Sequence, residues 1–280
     1  MHKSRGVAMR VYVSVDMEGV AGVVSWDQVT PGKSDYMHAR GWMIEEANAA
    51  IAGAFDGGAR HVLVNDSHNG MRNLLPHELD PRATLVSGGL KDYGMMAGLD
   101  DTFAAALFIG YHARGGGPGV LAHTWSSRVI GVRLNGQEVG EWGLNAMIAG
   151  AFGVPVVMVT GDDCLAKEVR EGLPGPVETV VVKRALTKYA AENLPRAAAL
   201  EAIREGAARA LRKVREIPPF RPQPPIALEV DLNATQLADS AAMMPKAERV
   251  GPLTVRYTAE DGLEAFRAFL TFMALAAYAD

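Results

Sequence analysis

The most restrictive feature of this 280-residue chain is an alternation of short apolar, β-branched runs with longer stretches of helical periodicity. Residues 10–16 (RVYVSVD) read as a strand, and residues 60–65 (RHVLVN), 103–109 (FAAALFI), 154–159 and 178–182 repeat the signal. Residues 83–86 form a shorter candidate. Between the first two runs, Ser34 can cap a helix extending to Asp56, with Ile44, Ala47, Ile51, Ala54 and Phe55 on one face and Gly57-Gly58 closing it. Another helix is predicted over residues 141–152. Such an alternation specifies an α/β fold: a mostly parallel sheet flanked by helices. In these sheets, function gathers beyond the carboxyl ends of the strands.

After Lys183 the texture changes. Residues 195–216 form an amphipathic helix with Leu200, Ile203, Ala207, Leu211 and Val214 on one side. The segment PPFRPQPP (218–225) is an extended connector. Strands are predicted over 226–232 and 250–257, and a closing helix over 261–277. Upstream, Asn135-Gly136 marks a two-residue hairpin within 129–139. The predicted organisation is an α/β domain over 9–184 and a smaller C-terminal α+β unit over 185–280 that contributes to oligomer contacts.

Composition removes several classes of function. Lys and Arg total 28 against 32 Asp and Glu, a net charge of −4, so nothing favours nucleic acid as a partner. The single cysteine, Cys164, excludes an internal disulfide framework and a cysteine-rich zinc site. A metal would have to be held by His, Asp and Glu. No apolar run reaches the length of a membrane span, and the basic start MHKSRGVAMR lacks a following apolar region. The expected compartment is the cytoplasm.

Familiar motifs fail on inspection. Gly32-Lys33-Ser34 lacks the earlier glycine of a phosphate-binding loop, since Asp27 stands there. Gly115-Gly116-Gly117-Pro118-Gly119 has Val120 where a dinucleotide fingerprint needs glycine, and reads as a loop. His77-Glu78 is followed by Pro81, not by the second histidine of a zincin helix. Cys164 reads as an inert small residue.

What survives lies just past the strands. The first ends in Ser14-Val15-Asp16-Met17-Glu18-Gly19, where Asp16 and Glu18 would project to one side of an extended segment. The second leads to Asn65-Asp66-Ser67-His68-Asn69-Gly70, a later one to Gly110-Tyr111-His112-Ala113, and Glu141 opens a helix. Singly, each has an ordinary structural role as turn former, cap or dipole partner. Together, two imidazoles and three carboxylates make an inventory for two divalent ions. The three carboxylates and one bridging hydroxide would neutralise such a pair, with Asp16 as the bridge. His123, beyond the glycine-rich loop, suits a group that approaches substrate.

These motifs resemble a known family, the zinc-dependent D-aminopeptidases of the DppA type (peptidase family M55). Ser14-Val15-Asp16-Met17-Glu18-Gly19 matches the S-x-D-x-E-G signature, and the likeness continues through Asn65-Asp66-Ser67-His68, Gly110-Tyr111-His112-Ala113, His123-Thr124 and Glu141. It begins near Met9, is strongest before residue 160, and leaves eight residues as an N-terminal extension. Asn69 departs from the pattern, where a glycine-like residue is expected. The resemblance implies two zinc ions per subunit held by Asp16, Glu18, His68, His112 and Glu141, with His123 as the catalytic residue. It implies release of N-terminal D-amino acids, D-alanine typically, from short peptides and amides. It also implies a homo-oligomer, a decamer of two rings around an internal channel. Two other readings use the same inventory: a metal-dependent phosphoesterase, with Arg72 or Arg114 near the phosphate, and a non-catalytic ring-forming metal-binding protein.

Overall fold

The computed structural model describes residues 8–279, so His2 and the rest of residues 1–7 lie outside the described residues. In chain order the elements are β1 (Arg10–Val15), α1 (Trp26–Val29), α2 (Tyr36–Asp56), β2 (His61–Asp66), β3 (Ala83–Val86), β4 (Ala105–Ile109), β5 (Val129–Leu134), β6 (Gln137–Glu138), α3 (Glu141–Ala151), β7 (Val156–Asp162), α4 (Asp163–Gly172), β8 (Glu178–Thr187), β9 (Ala190–Asn193), α5 (Arg196–Arg212), β10 (Ile226–Leu232), α6 (Thr235–Ala241), β11 (Glu248–Arg249), β12 (Thr254–Ala259) and α7 (Gly262–Tyr278).

A seven-stranded sheet has the order β3-β2-β1-β4-β7-β8-β9. Its strands are parallel from β3 through β8, and β9 alone is antiparallel. Helices cover both faces, which is why the central strands are apolar throughout instead of alternating. In β1, Val11, Val13 and Val15 pack toward Ile51 and Ala54 of α2 and Ile203 and Leu211 of α5. Tyr12 points the other way, into a cluster with Phe108 of β4, Ile148 of α3 and Phe269 of α7.

The second sheet is antiparallel, in the order β11-β12-β10-β5-β6. Here one face meets solvent and the alternation returns. In β10, Ile226, Leu228, Val230 and Leu232 are buried, while Glu229 and Asp231 face outward. Arg133 of β5 ties both carboxylates together, at 2.9 Å and 2.6 Å. The expected α/β fold with a mostly parallel sheet and an additional α+β part is thus present. The two sheets are interleaved in sequence, however. The β5–β6 hairpin at residues 129–138 joins the antiparallel sheet, whereas β8 carries the parallel sheet past residue 185. Hydrogen bonding reunites these distant stretches, a pairing that no local pattern displays.

Other departures are local. The helix α2 starts at Tyr36 with Asp35, not Ser34, at its cap. Residues 250–257 do not make one strand: Gly251-Pro252 turns the chain, and Glu248 pairs back on Arg256. The helix expected over 195–216 ends at Arg212, followed by a separate 3₁₀ turn at Val214–Glu216. The helix α4 lies outside the elements that the sequence pattern predicts. Its burial is limited to Leu165, Ala166 and Val169, a weak apolar signal, yet the parallel β7–β8 pair requires a crossover and Asp162 caps it by accepting from the Leu165 amide at 2.8 Å.

Candidate metal centre

The strand order places β1 between β2 and β4, so the segments leaving these three strands meet at one edge. This is the position where an open α/β sheet splits its connections to two sides and forms a crevice. Asp16 and Glu18 follow β1, His68 follows β2, and His112 follows β4.

The chain after Val15 does not stay extended. It turns, with the Val20 amide donating to the Met17 carbonyl at 3.1 Å, and both acidic side chains still face the same pocket. Two glycines permit this. The Gly19 amide donates to the Gly110 carbonyl at 2.8 Å, and a Cβ at position 19 would lie 1.7 Å from the Tyr111 carbonyl oxygen. Gly110 adopts φ +67°, and a Cβ there would lie 2.3 Å from the Asp16 carbonyl oxygen. Only glycine fits such close backbone approaches without displacement.

The His68 loop is shaped by a buried carboxylate that the sequence analysis did not single out. Asp66 accepts from the amides of Asn73 and Leu74 at 2.5 Å and 2.7 Å, and from the Asn73 side chain at 2.8 Å. The same Asn73 amide group donates to the His68 carbonyl at 2.7 Å. Asn69 sits at φ 49°, a left-handed conformation that asparagine tolerates, so the departure from glycine keeps the loop's shape.

All five expected ligands and His123 converge. His68 Nδ1 lies 3.2 Å from Asp16 Oδ1 and 3.0 Å from Glu18 Oε2. His112 Nε2 lies 3.4 Å from Asp16 Oδ2 and 3.4 Å from Glu141 Oε1. His123 Nε2 lies 3.7 Å from Glu141 Oε1, and its ring stacks on His112 with centroids 4.1 Å apart. Two potential ligand trios result: Asp16, Glu18 and His68, and His112, His123 and Glu141. Asp16 faces both, one oxygen toward each.

Each imidazole is oriented by a backbone carbonyl. His68 Nε2 donates to the Val29 carbonyl at 2.6 Å, His112 Nδ1 to the Ala113 carbonyl at 2.9 Å, and His123 Nδ1 to the Leu121 carbonyl at 2.9 Å. A carbonyl can only accept, so the opposite nitrogen of each neutral ring presents a lone pair to the carboxylates. Lone pairs aimed at carboxylate oxygens call for positive charge between them. Glu18 Oε2 and His112 Nε2 are buried without a hydrogen-bond partner. Orphaned atoms of this chemistry suit a divalent cation.

The electrostatics express the same demand. Burial, reinforced by the Glu18 charge, pushes the Asp16 carboxyl up to about 8. Burial opposes charge on His112, yet Glu141 and Asp16 outweigh it and raise the imidazole to about 10. His68 is likewise raised well above the usual range, its burial overcome by Glu18 and Asp16. Against their own burial, Glu18 is held low by the His68 charge and Glu141 by His112. His123 goes the other way: burial and the His112 charge lower it, so its ring is neutral near neutral pH.

The centre opens on a cavity of about 610 Å³ whose walls include Trp26, Met71, Met95, Trp125 and Ser126. Trp26 meets the His123 ring edge-on at 5.3 Å, and the Trp125 amide donates to Glu141 Oε1 at 2.7 Å. Neither tryptophan carried a recognisable signal in the sequence. Cys164 lies outside this cavity, and burial pushes its thiol up to about 11, as befits an inert residue.

The family model for the M55 peptidases, described as D-aminopeptidase, matches residues 9–271. The chain belongs to the M55 family of D-aminopeptidases. It is 44% identical over 272 residues to a D-aminopeptidase of Bacillus subtilis (strain 168), covering 96% of this chain and 98% of that one. Among solved structures it matches the zinc-dependent D-aminopeptidase DppA from Bacillus subtilis, a self-compartmentalizing protease. That match has a TM-score of 0.93 at 42% identity and covers 96% of this chain and 98% of the other. The similarity therefore extends through both sheets.

Proposed function

We propose that this chain is a di-zinc aminopeptidase that hydrolyses N-terminal D-amino acids, of the D-alanine type, from short peptides and amides. The observation that carries the reading is the pair of trios that Asp16 faces with one oxygen each, with imidazole lone pairs turned toward carboxylates. Asp16, Glu18 and His68 would hold one ion, and Asp16, His112 and Glu141 the other, with Asp16 as the bridge. Bound there, zinc supplies Lewis acidity and acidifies water toward neutral pH.

The chain's own residues do the rest. His123, with its Nδ1 fixed on Leu121, has Nε2 free to accept a proton and to return it to a leaving amine. Its depressed basicity keeps that nitrogen available near neutral pH. Trp26 and Trp125 wall the cavity beside His123 and restrict water around the scissile bond. A free α-amine of the substrate that reaches one of the carboxylates of Asp16, Glu18 and Glu141, or an ion held by them, would direct cleavage to the first residue.

The phosphoesterase reading is weaker because none of the residues lining the cavity is Lys or Arg. The likeness to a self-compartmentalizing relative supports assembly into a homo-oligomer, a decamer in this reading, with the C-terminal α+β unit contributing contacts. The cytoplasm is the proposed compartment; among the described residues no helix is long and apolar enough to cross a membrane. The test is zinc analysis combined with hydrolysis of D-Ala-D-Ala beside L-Ala-L-Ala and a generic phosphodiester. Two zinc ions and cleavage of the D-peptide alone are expected. Faster cleavage of the phosphodiester, or zinc without hydrolysis of any of the three, would reject the reading.

A further inference from the structure

Lys183 occupies β8 directly after the apolar run Val180-Val181-Val182, and it is 1% exposed. Its Nζ donates to three backbone carbonyls: Glu18 at 2.6 Å, Val20 at 3.0 Å and Val23 at 2.7 Å. An ammonium has three N–H donors, and all three are used on one loop. That loop is the one carrying Glu18.

The arrangement solves two problems at once. Three carbonyls converging inside a protein would destabilise it if they had no donor. A buried ammonium requires the same number of acceptors, together with negative charge around it. Burial disfavours the ammonium and holds it below the usual lysine range, and the charges of Asp162, Glu46 and Glu18 oppose that through space. The amides of the loop are anchored elsewhere: Gly19 on the Gly110 carbonyl, Ala21 on Glu46 at 2.9 Å and Gly22 on Asn193 at 2.8 Å. Lys183 therefore takes the carbonyl side of a segment whose other side is already fixed.

We propose that Lys183 is a positioning residue of the metal centre: by gathering the carbonyls of Glu18, Val20 and Val23 it aims the Glu18 carboxylate at His68 and sets the zinc affinity of the Asp16–Glu18–His68 trio. The proposal rests on the di-zinc reading. It goes beyond that reading by assigning control of one of the two metal positions to a residue that touches no metal.

The test compares the full-length protein with Lys183→Met and Lys183→Gln. The second variant keeps two N–H donors and carries the test should the first not fold. Hydrogen exchange on metal-stripped protein reads the loop: residues 17–24 are expected to exchange at least about tenfold faster, with β1 and β7 unchanged. Unchanged protection of the loop overturns the proposal. Zinc titration against a chromophoric chelator reads the site. Wild type is expected to fill two positions, and the variants to lose about 10- to 100-fold affinity at one of them, the scale known for residues that orient ligands. A loosened loop with both affinities intact makes Lys183 a purely structural residue and overturns the proposal. Wild-type protein that binds no zinc would instead overturn the di-zinc reading, and this inference with it.

Discussion

The two trios that meet at Asp16 are built differently. Asp16, Glu18 and His68 come from segments leaving neighbouring strands of one parallel sheet, and all three are buried. The other trio draws His112 from the end of β4, Glu141 from the start of α3 and His123 from the loop before the β5–β6 hairpin. Its placement thus depends on the antiparallel sheet as well. It also includes the one imidazole that is partly open to the cavity, with 16% of its side chain exposed. In the proposed reading the first trio serves to hold an ion. In the di-zinc reading the second couples holding to proton transfer, because burial lowers the basicity of His123.

Removing the residue that faces both trios should break both sides at once. Asp16→Ala is expected to lose both zinc ions and to lower turnover by about 10⁴-fold, the scale seen when a catalytic unit is dismantled. Retention of one tightly bound ion would show that the trios are independent. His123→Ala should separate the two roles within the second trio: zinc content stays at two while kcat falls by about 10²- to 10⁴-fold, as for loss of a general acid–base. Unchanged turnover would remove His123 from the mechanism. His68→Ala acts on the first trio alone. One ion should be lost and turnover should drop by about 10²- to 10³-fold, as for loss of one Lewis acid; full metal occupancy would reject the ligand assignment.

A subtler change tests how far the first trio depends on its supporting loop. Asp66→Asn leaves His68 in place but weakens the carboxylate that gathers Asn73 and Leu74, so zinc affinity should fall by about tenfold with kcat at saturating zinc nearly unchanged. The smallest effect concerns the antiparallel sheet. Hydrogen bonds from Arg133 hold the Glu229 and Asp231 carboxyls below their usual range. A depressed folded-state value means the stabilisation is present above the ordinary carboxylate range near about pH 4 and is lost as pH falls through the folded value. In Arg133→Met, melting temperature should therefore depend less on pH below about 5 than in wild type. An unaltered acid-side slope would mean that this network does not couple to folding.

Much of the centre was legible because its candidate ligands follow apolar strands. Asp16, His68 and His112 could be placed at one sheet edge once three strands were recognised, and the motif S-x-D-x-E-G carried the family likeness. Glu141 was legible as the first residue of a helix. The supports were not. Val29, whose carbonyl orients His68, is an ordinary apolar residue, and Trp125 contributes only its amide to Glu141. Backbone atoms have no sequence signature. Lys183 left a faint one, a charged residue behind three valines in a buried strand, but nothing local names its three acceptors.

The sequence by itself determined the alternation of elements, the burial of the parallel strands on both faces and the chemical inventory of the site. These follow from side-chain periodicity and from the residue types available at strand ends, which are local properties. Tertiary structure alone decided that β5 and β6 leave the parallel sheet to pair with β10, that Asp16 turns one oxygen to each trio, and that Lys183 reaches the Glu18 loop. Those outcomes depend on hydrogen bonds and close approaches between segments far apart in the chain, whose partners are chosen only when the whole core closes.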